Sequence, residues 1–269
     1  WVATSAYFIG VAAVIVSGIM LKKFKLFAGE PAPFVMELPP YHVPKAVNVL
    51  RGNIQLSGYD LKTIAITSAQ AHEGKSSIAF HLARALASLD KKTLYLDCDI
   101  RNSTTLSRYG IQQKVEGLSE FLCGRTPLFD IIYRTDDRFM DMIFTGAIAP
   151  NPSELISGPM FARMMEYVRE NYDYVIVDTP PVNPVIDGTL IARQCDGTIL
   201  VVESGLTDRN QAMKAKRQLE YAGIKILGAV LNKVGGRGSR YGYGYGYGYG
   251  YGYGNQEQGE KKSSKKKSQ

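Results

Sequence analysis

The chain has 269 residues, of which 45% are hydrophobic and 21% charged, so it can bury one sizeable core with appendages and is neither globally disordered nor fibrous. Three widely spaced cysteines without a C-x-x-C pair indicate neither a disulfide framework nor a zinc site. The net charge of +7 comes partly from lysines close to the two termini, which argues against nucleic acid as a partner and favours a membrane surface or solvation.

Residues 1–22 are predicted to form a transmembrane helix, with a buried or interfacial helix as the alternative. No charged residue precedes Lys22, and about 20 residues at about 1.5 Å each span a hydrocarbon core of about 30 Å. Lys22, Lys23 and Lys25 follow at once. The positive-inside rule therefore places everything after this helix in the cytoplasm.

Residues 23–47 are predicted to be a Pro-rich linker or an extended surface segment. Five prolines between Pro31 and Pro44 each fix φ and remove a backbone donor, which excludes a regular helix there. The folded domain is therefore expected to run from residue 48 to residue 235.

Within that domain, short apolar runs alternate with segments of helical periodicity. This alternation predicts parallel βαβ units and an α/β fold, a doubly wound, mostly parallel sheet of the P-loop NTPase type. Ligands of such sheets bind at the carboxyl ends of the strands. The apolar strand-like runs are 61–68, 92–97, 172–178, 197–203 and 226–232, and the clearest helical run is 75–89.

The segment that follows the first of these strands carries a nucleotide-binding motif. Ala69 to Ser76 fits the P-loop spacing with alanine in place of the first glycine, and a chance match is the alternative. In such a loop, backbone N–H groups cradle phosphates, Lys75 neutralises the β and γ phosphates, and the Ser76 hydroxyl coordinates Mg²⁺. We therefore predict ATP and Mg²⁺ as cofactors. The predicted nucleotide-binding residues are Ala69, Gln70, Ala71, His72, Glu73, Gly74, Lys75, Ser76 and Ser77.

Two further strands end in acidic residues, Asp97 and Asp99 after one and Asp178 after the other. A single acid at a strand end is more often a cap or a turn residue. Several such acids at the edge that carries a P-loop suit a hard cation, which takes oxygen ligands directly or through water. The predicted metal ligands are therefore Ser76, Asp99 and Asp178.

These residues carry a family resemblance. Asp97-x-Asp99-x-Arg101 resembles the second Walker-type motif of the bacterial tyrosine kinases that accompany capsule and exopolysaccharide synthesis, and Asp178-Thr-Pro-Pro resembles their Walker B motif. The similarity covers roughly residues 48–254. Other similar segments are 117–122, 151–155, 181–196 with Asp187, 230–233 and a C-terminal tyrosine cluster.

The resemblance implies a set of catalytic residues. It places Lys75 on the phosphates and makes Asp97 the base that accepts a tyrosine proton, a role that suits an anchored carboxylate facing a phenol with a pKa of about 10. Asp97 as a structural residue is the alternative. Arg101 either stabilises the transferred phosphate or pairs with a neighbouring acid. Asn232 is expected to contact the adenine base or to be a plain turn residue.

Residues 236–269 are predicted to be a disordered tail, rich in tyrosine and lysine, that cannot build a core. Phosphorylation would add about −1.5 to −2 charges per tyrosine and oppose the nearby lysines. A tract for weak self-association is the alternative. The predicted phosphorylation sites are Tyr241, Tyr243, Tyr245, Tyr247, Tyr249, Tyr251 and Tyr253.

The function that the resemblance implies is an ATP-dependent protein-tyrosine autokinase that regulates capsular or exopolysaccharide synthesis and export. It would act at the cytoplasmic face of the bacterial plasma membrane, between subunits of a homo-oligomeric ring, with a membrane adaptor of the polysaccharide co-polymerase type as its activator. One alternative is a partitioning or division-site ATPase switch, although those proteins carry a second lysine where this chain has Gln70. A module in which ATP only gates assembly is another.

Two segments depart from the kinase pattern. The family's subunit-contact helix usually begins with an acid and carries arginines three and six residues later, whereas residues 45–51 keep only Arg51. Residues 1 to about 50 resemble the C-terminal membrane segment of ferrous iron transport protein B. We do not infer iron transport, because the GTPase domain and most membrane helices of that family are missing from this sequence. This favours a gene fusion or a joining artefact, and at most a membrane tether.

Overall fold

The computed structural model describes residues 35–36, 44–57, 60–108, 111 and 115–234. The predicted transmembrane helix, most of the predicted linker and the tyrosine tail lie outside these described residues. Among the residues that are described, none of the helices combines the length and the apolar character that a membrane crossing needs.

Eight strands form one sheet in the described part of the chain, in the order β1-β4-β5-β3-β6-β2-β7-β8. Neighbouring strands run parallel except β4 and β5, which run antiparallel. The predicted α/β architecture with a mostly parallel sheet is therefore confirmed. The strands are β1 (Val35–Met36), β2 (Thr63–Ser68), β3 (Thr93–Asp97), β4 (Tyr133–Thr135), β5 (Met140–Ile143), β6 (Tyr174–Asp178), β7 (Gly197–Glu203) and β8 (Ile226–Asn232).

Helices connect these strands and cover both faces of the sheet. The α-helices are α1 (Lys45–Gln55), α2 (Lys75–Ala87), α3 (Thr105–Arg108), α4 (Leu118–Leu122), α5 (Pro152–Ser157), α6 (Pro159–Asn171), α7 (Asp187–Ala192) and α8 (Arg209–Tyr221), and Leu128–Ile131 forms a 3-10 helix.

The two faces of β3 show how the sheet is buried on both sides. Tyr95 points into the apolar cluster that includes Phe80 of α2, whereas Leu94 and Leu96 point into the opposite cluster with Phe121 of α4. All these side chains are 1% exposed or less. Alternate side chains of a strand lie on opposite faces, so a continuous apolar run satisfies both layers of helices.

Helix α1 begins at Lys45, and not at the predicted domain boundary, residue 48. Pro44 immediately precedes the helix, where its missing N–H and fixed φ are compatible with helix initiation. Residues 45–47, which were predicted to end the linker, thus belong to α1. Arg51, the arginine compared above with the subunit-contact pattern, donates to the carbonyl of Ala85 in α2 at 2.7 Å and so ties α1 to its own domain.

Candidate active site

The P-loop connects β2 to α2 at the carboxyl edge of the sheet, as the sequence predicts. Two of its residues have left-handed backbones, His72 with φ +67° and Gly74 with φ +92°. A Cβ at Gly74 would lie 2.1 Å from the Nδ2 atom of Asn232, so this position has no room for a side chain. The glycine lets the loop pass close beneath the end of β8.

Hydrogen bonds to side chains that are distant in sequence hold the P-loop in its conformation. Glu73 is only 3% exposed. Its carboxylate accepts the N–H of Gln70 at 2.9 Å and the hydroxyl of Thr207 at 2.5 Å. The Asn232 amide donates to the carbonyl of Glu73 at 3.0 Å. Glu73 and Asn232 therefore fix the loop's shape, and Thr207 is a supporting residue that no sequence motif marked.

Lys233, just after β8, forms a second support. Its Nζ donates to the carbonyl of His72 at 2.9 Å and to the carboxylate of Glu203 at 2.7 Å. Lys233 itself has a left-handed backbone, with φ +56°. The lysine thus joins the end of β7 to the P-loop at His72.

We expect Lys233→Met to lower the affinity for ADP roughly 5-fold, because it removes a hydrogen bond that holds the P-loop carbonyl in place and such bonds contribute about 1 kcal/mol. Calorimetric titration with ADP measures this. Lys216→Met is the matched control: the Lys216 side chain is as exposed as that of Lys233, 46% for each, and it also pairs with a glutamate, Glu220. Equal affinities for both variants and the parent would contradict the assignment.

Lys75 lies among carboxylates at the head of α2 and is 8% exposed. Its Nζ is 2.9 Å from Oδ2 of Asp99 and 3.9 Å from Oδ1 of Asp178. Burial alone would lower the pKa of Lys75, but the attraction of Asp178 and Asp99 outweighs it and the pKa is raised. In this arrangement the lysine neutralises the acids that are predicted to face Mg²⁺ and phosphate.

Asp178 fits the role of a metal ligand. Asp97 and Asp178 are direct partners in the pairing of β3 with β6. Burial, with the nearby charges of Asp97 and Asp99, raises the pKa of Asp178 to about 7 against the opposing effects of Lys75 and Ser76. Its Oδ1 atom is buried and has no hydrogen-bond partner among the described residues. A buried carboxylate oxygen without a donor is a suitable ligand for a cation or a cation-bound water.

The predicted ligands suit Mg²⁺, but the protein side chains alone do not complete its coordination. Within the described ranges, no group of three or more His, Cys, Asp or Glu side chains converges on a common metal position. Mg²⁺ keeps several waters and is commonly bound by one or two carboxylates together with substrate phosphates. The Ser76 hydroxyl, 3.4 Å from Lys75 Nζ, and the Asp99 and Asp178 carboxylates supply donors of that type.

Asp97 lies deeper than the other acids and is fully buried. One carboxylate oxygen accepts the N–H of Asp99 at 3.1 Å, and the other accepts the hydroxyl of Ser103 at 2.5 Å. Burial raises the pKa of Asp97, and the hydrogen bond from Ser103 opposes this shift. Ser103 therefore covers the carboxylate that the resemblance makes the catalytic base.

Arg101 pairs with an acid, which was one of its two predicted roles. Its Nε donates to Oδ2 of Asp187 at 2.5 Å, and an Nη donates to the Ser153 hydroxyl at 3.2 Å. The hydrogen bond to Asp187 raises the pKa of Arg101. The pairing ties the loop after β3 to the start of α7 and to α5.

A cavity of about 660 Å³ lies beside the P-loop, and of the acids described above it is lined by Asp99 but not by Asp97 or Asp178. Its lining also includes Asn232, Arg101 and Arg108. Of the predicted nucleotide-binding residues, Ala69 is fully buried, and the exposed Gln70 does not line the cavity. Those that do line it are Ala71, His72, Gly74, Lys75, Ser76, Ser77 and Asn232.

Two family models match this sequence. A model described as an AAA domain matches residues 61–205, which contain the P-loop and the acidic strand ends. A model of the ferrous iron transport protein B C terminus matches residues 3–54. The second match confirms the N-terminal resemblance and falls mostly outside the described residues.

Proteins of similar sequence are named as tyrosine kinases. Tyrosine-protein kinase CpsD of Streptococcus agalactiae serotype III (strain NEM316) is 41% identical over 195 residues, which are 72% of this chain and 84% of that protein. Tyrosine-protein kinase YwqD of Bacillus subtilis (strain 168) is 36% identical over 196 residues, 70% of this chain and 82% of that protein.

Solved structures that are similar to this chain include a tyrosine kinase domain and a cell division ATPase. The kinase domain of Escherichia coli tyrosine kinase ETK aligns with a TM-score of 0.69 and 32% identity, over 75% of this chain and 80% of that one. The Pyrococcus furiosus cell division ATPase MinD aligns with a TM-score of 0.57 and 23% identity, over 65% of this chain and 73% of that one, which shows the shared fold alone.

Proposed function

The chain belongs to the bacterial tyrosine kinases of capsule synthesis, and from that premise we propose that it transfers the γ-phosphoryl group of ATP to tyrosines of its own tail. The observation that carries this proposal is the juxtaposition of Lys75, Asp99, Asp178 and Asp97 where the P-loop meets the strand ends. This arrangement supports a phosphate cradle, oxygen ligands for a cation and a spare carboxylate at one edge of the sheet.

The P-loop residues and Lys75 would hold the nucleotide. Backbone N–H groups at the start of α2 suit phosphate oxygens, and Lys75 can exchange its contacts with Asp99 and Asp178 for phosphate charge. Mg²⁺, held by Ser76 and by those two carboxylates directly or through water, would neutralise charge on the phosphates. The two carboxylates that Lys75 contacts would then be free to hold the cation.

Asp97 is the proposed general base for the acceptor phenol. A phenol with a pKa of about 10 is a poor nucleophile at neutral pH, and a carboxylate whose pKa is raised by burial accepts a proton more readily. Ser103 must give up its hydrogen bond to Asp97 before a phenol can take that position. Arg101 would then act through Asp187 by holding the loop that carries Asp99 and Ser103.

The proposed acceptors are the tyrosines at alternate positions from Tyr241 to Tyr253, presented to a neighbouring copy of the chain. We further propose that a membrane adaptor activates the kinase at the cytoplasmic face of the plasma membrane, where it regulates capsular or exopolysaccharide synthesis and export. The similarity to CpsD and ETK supports this assignment.

The competing ATPase switch rests on fold similarity at 23% identity, and Gln70 differs from the second lysine expected in that class.

We expect Asp97→Asn to lower phosphotyrosine formation at least about 100-fold, because general-base assistance contributes roughly 10²- to 10⁴-fold. The full chain is incubated with MgATP and an adaptor tail peptide, and phosphotyrosine is quantified by antibody and located by mass spectrometry. Asp141→Asn is the control, because Asp141 also carries a pKa raised by burial but belongs to β5 and bonds to Tyr172. ATP hydrolysis by the parent without any phosphotyrosine would favour the ATPase switch.

A further inference from the structure

Asp178 rests on a buried tyrosine that the proposed mechanism does not use. Tyr95 of β3 is 0% exposed, and its hydroxyl lies 3.2 Å from Oδ2 of Asp178 and 3.3 Å from Oγ1 of Thr105. An ionised carboxylate can only accept hydrogen bonds, so the phenol donates to it. The tyrosine therefore supports the acid from within the protein interior and does not itself line the cavity.

The ring of Tyr95 cannot readily turn away from this contact. It packs edge to face on Phe80 of α2, with ring centroids 5.7 Å apart and an interplanar angle of 83°, and belongs to the larger apolar cluster on that face of the sheet. Close-packed interiors hold aromatic side chains in single rotamers. The phenol is thus a fixed donor on a rigid strand.

The two oxygens of Asp178 consequently differ. Oδ2 accepts the phenol of Tyr95, whereas Oδ1 has no hydrogen-bond partner among the described residues and lies 3.9 Å from Lys75 Nζ. A donor on one oxygen fixes the rotation of the carboxylate and so fixes the direction of the other oxygen. Partners of this kind, which orient the ligands of a metal, typically change metal affinity 10- to 100-fold when they are removed.

We propose that Tyr95 is a positioning residue that presents Oδ1 of Asp178 to Mg²⁺ or to a water bound to it. The inference deepens the proposed function, on which it rests for the presence of MgATP. It assigns a task to a hydroxyl that packing alone does not require, because phenylalanine would fill the same apolar space.

A second tyrosine–aspartate pair supplies the matched control. Tyr172 donates to Oδ2 of Asp141 at 2.7 Å, and Tyr172 is 5% exposed. This is the same tyrosine–aspartate chemistry in the same sheet, but Asp141 belongs to β5, whereas Asp178 lies 3.9 Å from Lys75 of the P-loop. Removal of either hydroxyl leaves an aspartate with one donor fewer, so a difference between the two variants isolates the effect on metal binding.

The experiment compares Tyr95→Phe and Tyr172→Phe in the full chain by calorimetric titration with ADP, once with excess Mg²⁺ and once with EDTA. We expect Tyr95→Phe to weaken binding about 10-fold with Mg²⁺ and less than 2-fold without it, while Tyr172→Phe changes neither value. The electron paramagnetic resonance spectrum of Mn²⁺ bound with ADP should also broaden for Tyr95→Phe only.

The effect must pass through Asp178, so in an Asp178→Asn background the further change Tyr95→Phe should leave Mg²⁺-dependent binding unaltered. Equal losses with Mg²⁺ and with EDTA, or no loss at all, would overturn the proposal, as would a 10-fold loss that persists in the Asp178→Asn background. Because these measurements use ADP, a parent protein that binds MgADP but forms no phosphotyrosine would refute the kinase assignment and leave this inference standing.

Discussion

Lys75→Met is expected to lower phosphotyrosine formation roughly 10³-fold or more, because the lysine forms the ion pairs with Asp99 and Asp178 at the head of α2 and charge stabilisation of this kind dominates phosphoryl transfer. Methionine keeps the length and the apolar stem of the side chain but removes the charge. The measurement is phosphotyrosine formation with saturating MgATP. Lys92→Met serves as the control, since Lys92 lies over the ring of Tyr172 and outside the cavity.

The inactive Lys75→Met protein should still serve as an acceptor. Mixed with an active chain truncated after Arg240, which has no tyrosine tail, it should regain phosphotyrosine if transfer occurs between subunits. Activity of Lys75→Met alone above about one tenth of the parent value would contradict the placement of Lys75 on the phosphates. Failure of the mixture despite an active truncated enzyme would instead count against transfer between subunits.

Asp178→Asn is expected to change activity and stability in opposite directions. Its carboxylate is 1% exposed, with a folded-state pKa raised to about 7 from the ordinary 3.8. The stability that belongs to this raised pKa is fully present below about pH 4 and is lost as the pH rises through 7. At about 1.4 kcal/mol per pKa unit, the loss is at most about 4 kcal/mol.

Urea unfolding of the full chain at pH 5 and pH 7.5 in EDTA measures this effect. The free energy of unfolding of the parent should fall between these two values of pH, and that of Asp178→Asn should fall less, because asparagine does not titrate. The variant should also bind ADP with Mg²⁺ more weakly than the parent does, and it should lose its phosphotyrosine. Identical pH dependence in the two proteins would contradict the assignment of the raised pKa to Asp178.

The sequence alone predicts the parts of the fold and site that depend on local pattern. The strands are recognisable because each is a short apolar run. Strands that run parallel in one sheet have their carboxyl ends at the same edge. That is why Lys75, Asp99 and Asp178 could be placed together before any distance was known. Helix α1 begins three residues before the predicted domain boundary, at Lys45, because the proline-rich composition ends at Pro44, which directly precedes the helix.

Other features of the site depend on contacts between distant segments and left no local signal. The hydrogen bond from Ser103 to Asp97 depends on the conformation of the loop after β3. The support of Glu73 by Thr207 depends on the pairing of β2 with β7. Tyr95 fits the pattern of any buried strand residue, and only the register of β3 against β6 brings it to Asp178.

The strand order also constrains how the protein folds as it is synthesised. Strand β2 emerges from the ribosome before its neighbours in the sheet, β6 and β7. Thr63 can therefore pair with Val175, and Ile64 with Gly197, only after those later strands have been made. Non-local pairings of this kind slow folding and leave apolar strands open to aggregation. The P-loop, whose supports include Asn232 and Lys233, can take its final shape only when nearly the whole domain has been made. A nascent chain would therefore acquire nucleotide affinity as one of the last events of folding. Its apolar strands would be available to chaperones before its P-loop could bind ATP.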